Sequence, residues 1–247
     1  MPSAHSATRP PASFYQRHAV TVARALIGQK LVRVVDAERV AGIIVETEAY
    51  LGAKDKAAHT FNGRRTRRNA SMWLGGGHAY VYFTYGMHYC MNVVAGSPGQ
   101  PVAVLVRALA PVEGMESMWR RRPRAKRQTD LCSGPARLCQ ALAIDCSLDG
   151  ASLMSEHGFF IEQQRLRAYP DNRIATGPRV GVHYAQEWSR TPLRFWLRGD
   201  PNVSRAMGSG SVNRRSGSAS MAAEASRVES GQSRFRGTLK PDPGTPP

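Results

Sequence analysis

Residues 79–95 read AYVYFTYGMHYCMNVVA. Two runs rich in aromatic and β-branched residues, 79–84 and 87–95, flank the dipeptide Tyr85-Gly86. A short glycine-bearing break between two strand-like runs predicts a tight antiparallel hairpin. Outward from it, strand-like runs recur at 29–35, 41–50, 101–109 and 193–197. Helical patterns lie at their flanks. One covers 18–27, with Val20, Ala23, Leu26 and Ile27 on one stripe and Gly28 where a C-terminal cap belongs. Two more, 111–121 and 135–144, each open on a proline. Strands gathered in mid-chain with helices beside them predict the α+β class: a single domain on a curved, largely antiparallel sheet flanked by helices, with the hairpin protruding.

The ends of the chain read differently. Residues 1–13 carry prolines and small polar residues without periodicity, and 208–247 form a low-complexity tract. Both are expected to be disordered, an arm and a tail on one domain spanning 14–207. With 42% of its 247 residues hydrophobic, the chain can bury a sizeable core. No apolar run approaches the length of a bilayer span and no signal peptide opens the sequence, so an intracellular protein is expected, in the cytoplasm or nucleoid if bacterial. Cys90, Cys132, Cys139 and Cys146 make no C-x-x-C pair, and H-E-x-x-H is absent. Neither a metal nor any other cofactor is expected, and the seven-residue spacing of the last three cysteines suits helix packing.

Charge is the most unusual bulk property. Lys and Arg number 34 against 18 acids, a net charge of +16 and a pI near 10.5. Codon bias explains arginine over lysine but not basic over acidic, so the surplus points to a polyanionic partner and to nucleic acid first. Four arginines fall within five residues in the segment AAHTFNGRRTRRN, 57–69, which also holds His59. Such a run is either a solvated loop or one that contacts phosphates, with Arg64 and Arg67 the candidates. A second basic run, 120–127, leaves a helix, and there phosphate contact and a solvated loop are equally good readings.

Three features could carry chemistry. In GIIVETEAYLG, 42–52, period-2 geometry puts Glu46, Glu48 and Tyr50 on one strand face, the face of Ile44. Acids there are either exposed at the strand end or buried for a reason. In PVAVLVRALAP, 101–111, Arg107 stands alone in an apolar run; facing inward it needs an acid, and Glu48 is the obvious partner. In the hairpin, Tyr80 and Tyr89 read as core, while Tyr85 at the tip cannot easily pack inward. In a basic protein an exposed aromatic tip suggests a wedge that enters a base stack, and Tyr82, on the face of Tyr80 and Thr84, could stack on an extruded base.

Eight stretches in order, VARALIGQKLV, VETEAYLG, AAHTFNGRRTRRN, YVYFTYGMHYCMNVV, VLVRALAP, DLCSGPARLCQALAI, RVGVHYAQEW and PLRFWLRGDP, resemble the alkyladenine (3-methyladenine) DNA glycosylases of the human type. The resemblance covers 14–203. It implies a monofunctional glycosylase of base excision repair that flips alkylated or deaminated purines from double-stranded DNA and hydrolyses the N-glycosidic bond in one step. It implies Glu48 as general base, with Arg107 and a main-chain carbonyl at Val180 helping to hold the water. The base would lie between Tyr50 and His59 on one side and Tyr82 on the other, with Asn92 excluding normal purines and Tyr85 filling the vacated stack. Thr66-Arg67 departs from the family's usual Thr-Pro, in a phosphate-facing loop. A monomer is expected. The rival from another class is a non-catalytic damaged-DNA-binding protein of the same fold, for which an acid beside a polyanion has no use.

Overall fold

Strand β2, Glu38–Tyr50, organises the molecule. On one side it pairs along its length with β5, Val102–Glu113. On the other it pairs first with β1, Lys30–Val35, and then, over Glu46–Glu48, with β8, Arg194–Leu197. The hairpin strands β3, Ala79–Thr84, and β4, His88–Ala95, extend the β5 side; β6, Phe159–Glu162, extends the β1 side; and β7, Ile174–Gly177, pairs with β8. Every pairing is antiparallel, and the sheet curls into a half-barrel. This computed structural model describes residues 8–155 and 158–204. The expected C-terminal tail, 208–247, and the expected domain end at 207 lie outside the described residues. Of the expected N-terminal arm, residues 8–13 lie against the domain: Gln163 N–H donates to the Thr8 carbonyl at 2.8 Å, and the Arg9 guanidinium sits 4.4 Å from the Phe160 ring centre.

The alternation of the central strands separates two faces. Val81, Met91, Val93, Val104 and Val106 point to the main core, beneath helices α2, Ala19–Leu26, and α4, Pro135–Ala141. Helix α2 buries Ala19, Val22, Ala23 and Leu26, an i, i+3, i+4, i+7 stripe, so Val22 replaces the half-buried Val20 of the expected stripe. Helix α4 opens on Pro135 as expected. The preceding short helix α1 is Ala12–Tyr15, and α3 is Met115–Arg121.

One expectation changes here. Pro111 does not open a helix: β5 runs through it to Glu113, and α3 starts after Gly114. Pro111 is tolerated because it lies beside a register shift, past Leu105, where the β4 pairing has ended. Strands β6 and β7, four residues each, carry too little pattern to have been read from the sequence. In the stretch LGGGHAY, Gly76 lies so close to α1 that a Cβ there would meet the Tyr15 carbonyl oxygen at 2.6 Å.

The hairpin turn itself follows its sequence. Tyr85 and Gly86 both adopt positive φ, 51° and 67°, as primed hairpin turns require, and Met87 N–H donates to the Thr84 carbonyl at 3.2 Å. Tyr85 is 85% exposed, with Met87 beside it at 69%. Among the described residues, no helix is long and apolar enough to cross a membrane.

Candidate active site

The face of the sheet opposite the main core carries polar residues. Tyr80, Tyr82, Asn92, Leu105 and Arg107 alternate with the core positions and line a cleft of about 1480 Å³ that also reaches Tyr50, His59, Tyr85, Val180 and Tyr184. Two register irregularities in the β2–β5 ladder, between Ile44 and Glu46 and between Glu46 and Thr47, rotate the strand here. Ile44 therefore shares the core face with Ala49, and only Glu46, Glu48 and Tyr50 face the cleft side. The expected common face of Ile44 and Glu46 is corrected by that bulge.

Glu46 and Glu48 are both fully buried, and their surroundings differ. Glu46 accepts from Arg107 Nε at 2.8 Å, Arg194 Nε at 2.7 Å, Ser204 Oγ at 2.9 Å and Ser204 N–H at 2.7 Å. Glu48 sits just behind Tyr50, Arg107 and Val180, all of which line the cleft. Its Oε1 accepts from Val180 N–H at 2.7 Å and lies 3.3 Å from Arg107 Nη1; among the described residues its Oε2 accepts from Tyr50 Oη alone, at 3.0 Å. An ionised carboxylate offers about four acceptor sites; Glu46 meets four donors, three on Oε1 and one on Oε2, and Glu48 meets three, from groups that line the cleft. Arg107 bridges the two acids, and although burial acts against its charge, Glu48 and Glu46 together raise its pKa.

Aromatic rings wall the cleft. His59 Nδ1 and Tyr80 Oη are 2.7 Å apart, and the His59 ring stands edge-on to Tyr82 at 4.7 Å and 76°. Tyr80 and Tyr82 lie 5.3 Å apart. His59 is thus grouped with Tyr82, not with Tyr50 as the family resemblance implied; a ring pair that close leaves no slot for a base between them. Tyr50 forms a separate wall, its hydroxyl pKa raised by burial and by Glu48. Burial also raises that of Tyr82. Desolvation in the cleft, then Arg68 and Arg64, lower the His59 pKa. Asn92 is buried and donates from Nδ2 to the Tyr80 carbonyl at 3.1 Å.

The basic run beside the cleft divides. Arg68 donates to the Phe83 carbonyl at 2.7 Å and lies 5.5 Å from the Tyr82 ring centre, and Arg65 covers Trp73 at 5.2 Å. Arg64 and Arg67 are exposed, and their side chains make no hydrogen bond or ion pair with the described residues.

A family profile described as Methylpurine-DNA glycosylase (MPG) matches residues 13–201. The chain belongs to the methylpurine-DNA glycosylase family. Its relatives include the DNA-3-methyladenine glycosylases of Mus musculus, 43% identical over 82% of this chain, and of Homo sapiens, 44% identical over 80%. Another is a putative 3-methyladenine DNA glycosylase of Bacillus cereus, 44% identical over 79%. The matches span 63% and 68% of the two mammalian proteins and 98% of the bacterial one. The enzymes so named are hydrolases acting on N-glycosyl bonds.

The structure brings Arg107, Tyr50, His59, Tyr82, Asn92 and Val180 to one cleft, with Glu48 directly behind Tyr50, Arg107 and Val180, and sets Tyr85 at its rim. Val180 meets Glu48 through its N–H, an interaction the sequence did not suggest. Sequence reasoning also missed Arg194 and Ser204 as partners of Glu46, and the pair Arg179–Asp55 behind Tyr50. Arg194 carried a readable signal, a lone arginine in the apolar run PLRFWL. Ser204 carried none.

Proposed function

We propose that this chain is a monofunctional DNA glycosylase that flips an alkylated or deaminated purine from the duplex and hydrolyses its N-glycosidic bond, initiating base excision repair. The observation that carries the reading is the inequality of the two buried acids. Glu46 meets four donors, from Arg107, Arg194 and Ser204, whereas Glu48 meets three, from Val180, Arg107 and Tyr50, all of which line the aromatic cleft. Glu48 takes a proton from water, which Arg107 and the Val180 carbonyl help to hold, as the water attacks the anomeric carbon. No lysine lines the cleft among the described residues, which favours direct hydrolysis over an imine intermediate.

Extrusion costs a few kcal/mol of stacking and pairing, least at a lesion. Tyr85, exposed on a turn whose backbone holds it outward, fills the gap and offsets that cost. The flipped purine lies between Tyr50 on one wall and Tyr82 with His59 on the other, and Asn92 on the floor excludes normal purines. A cationic base gains cation–π attraction there. Part of that attraction is already taken up, because Arg179 lies 4.6 Å from the Tyr50 ring centre and Arg68 5.5 Å from that of Tyr82. Arg64 and Arg67, free of internal partners among the described residues, contact phosphates. The test is a release assay on duplexes that each hold one defined lesion: the purified protein releases the modified base and leaves an abasic site, and release of none of them refutes the proposal.

A further inference from the structure

Arg179 and Asp55 form an ion pair from which solvent is wholly excluded. Arg179 Nη1 lies 2.5 Å from Asp55 Oδ2 and Nη2 lies 2.8 Å from Oδ1, a bidentate fork. Neither residue lines the cleft, and the chemistry proposed above uses neither. The contacts around the pair connect three stretches of chain. Arg179 Nη1 also donates to the Ala49 carbonyl at 3.0 Å, on the residue between Glu48 and Tyr50. Asp55 accepts from Leu51 N–H at 2.9 Å and Ala57 N–H at 3.0 Å, fixing the loop that leads to His59. Val180, next in sequence to Arg179, places its N–H on Glu48. The Arg179 guanidinium also backs the Tyr50 ring.

We infer that Arg179, clasped by Asp55, is a positioning residue for the reaction: it holds the Val180 main chain on Glu48. The inference rests on the proposed role of Glu48. Its physical basis is that a planar guanidinium locked by two parallel bonds and a third to a carbonyl has one orientation, which a lysine ammonium cannot reproduce. The residue that follows it inherits that orientation. A clasp serving stability alone would hold the loops together without regard to what Val180 touches.

The experiment compares single-turnover excision from a duplex carrying one hypoxanthine, with and without Glu48→Gln, for two variants. Arg179→Lys keeps the charge and loses the fork. Arg179→Met/Asp55→Asn removes both charges, so no unpaired ion is left in the interior to unfold the protein. Misplacing a reacting group by about 1 Å costs up to about 100-fold in rate, so both variants are expected to be about 10–100-fold slower than the parent. In the Glu48→Gln background the same changes should alter the residual rate by less than about twofold, because two changes acting through one group are not additive. Hydrogen exchange at the Val180 amide should accelerate in both variants. Equal losses with and without Glu48, or a full rate in the folded double variant, overturn the inference. If Glu48→Gln itself leaves excision intact, the general-base reading fails separately, and unchanged Val180 exchange in the double variant then refutes the clasp on its own.

Discussion

Glu48→Gln and Glu46→Gln should separate chemistry from architecture. At Glu48 the amide can keep the Val180 N–H bond through its oxygen, and Arg107 retains Glu46 as a counter-ion at 2.8 Å, so no buried charge is left alone. The fold should therefore survive with little change in Tm, while the loss of the proton acceptor lowers excision by about 10²–10⁴-fold. Binding of a lesion duplex should persist or tighten, since a negative charge near a polyanion has been removed. At Glu46 the consequences reverse. One amide oxygen cannot satisfy four donors, its NH2 group must face a donor, and Arg107 and Arg194 lose their shared anion in a buried site. Breaking a buried pair costs about 3–5 kcal/mol. At about 2–4 °C per kcal/mol for a domain of this size, Tm should fall by roughly 6–20 °C. Below that Tm, excision should fall much less than in Glu48→Gln. Scanning calorimetry with single-turnover release on one lesion duplex reads both quantities. Near-normal excision by Glu48→Gln together with a folded but inactive Glu46→Gln would refute the assignment and exchange the two roles.

Three further outcomes follow from the geometry. Replacing Arg64 and Arg67 by alanine should weaken binding to all duplexes alike and reduce the slope of log K against log salt by about 0.9 for each phosphate no longer neutralised; an unchanged slope in the double variant rejects the assignment. Tyr85→Ser should lose more activity on a lesion paired in a duplex than on the same lesion in a single strand, and equal losses would return Tyr85 to a packing role. The His59 imidazole should titrate below the usual value of about 6.5, because desolvation and then the Arg68 and Arg64 charges all disfavour its protonated form. Removing a neighbouring cation favours that form, so Arg68→Ala should shift the NMR titration midpoint upward; no shift would show that Arg68 does not act on the ring.

The hairpin, the helix α2 and the strands β1 to β5 were legible because each is a local pattern: period-2 alternation, a turn dipeptide that accepts positive φ, a stripe at helical spacing. The same alternation puts Glu48 with Tyr50, and Tyr82 with Tyr80, on one face; Asn92 came only from the family resemblance. The family resemblance added roles that no periodicity carries. Local pattern failed where the sheet is irregular. Nothing in GIIVETEAY announces the bulge that turns Ile44 away from Glu46, because a bulge is settled by how two strands fit together. Likewise Pro111 looks like a helix start until the pairing of β5 with β4 is seen to stop at Leu105.

By itself, then, the sequence determined the class of fold, the sharing of one face by Glu46, Glu48 and Tyr50, and a strongly basic net charge, since these depend on spacing and composition. Which donors each acid meets was decided only by the tertiary structure. Glu46 and Glu48 are the same side chain two residues apart. What distinguishes them comes from Arg194 and Ser204, 148 and 158 residues further along the chain from Glu46, and from Val180. A carboxylate's capacity to take a proton depends on how many donors already occupy it, and donors from distant segments meet it only when the chain has folded.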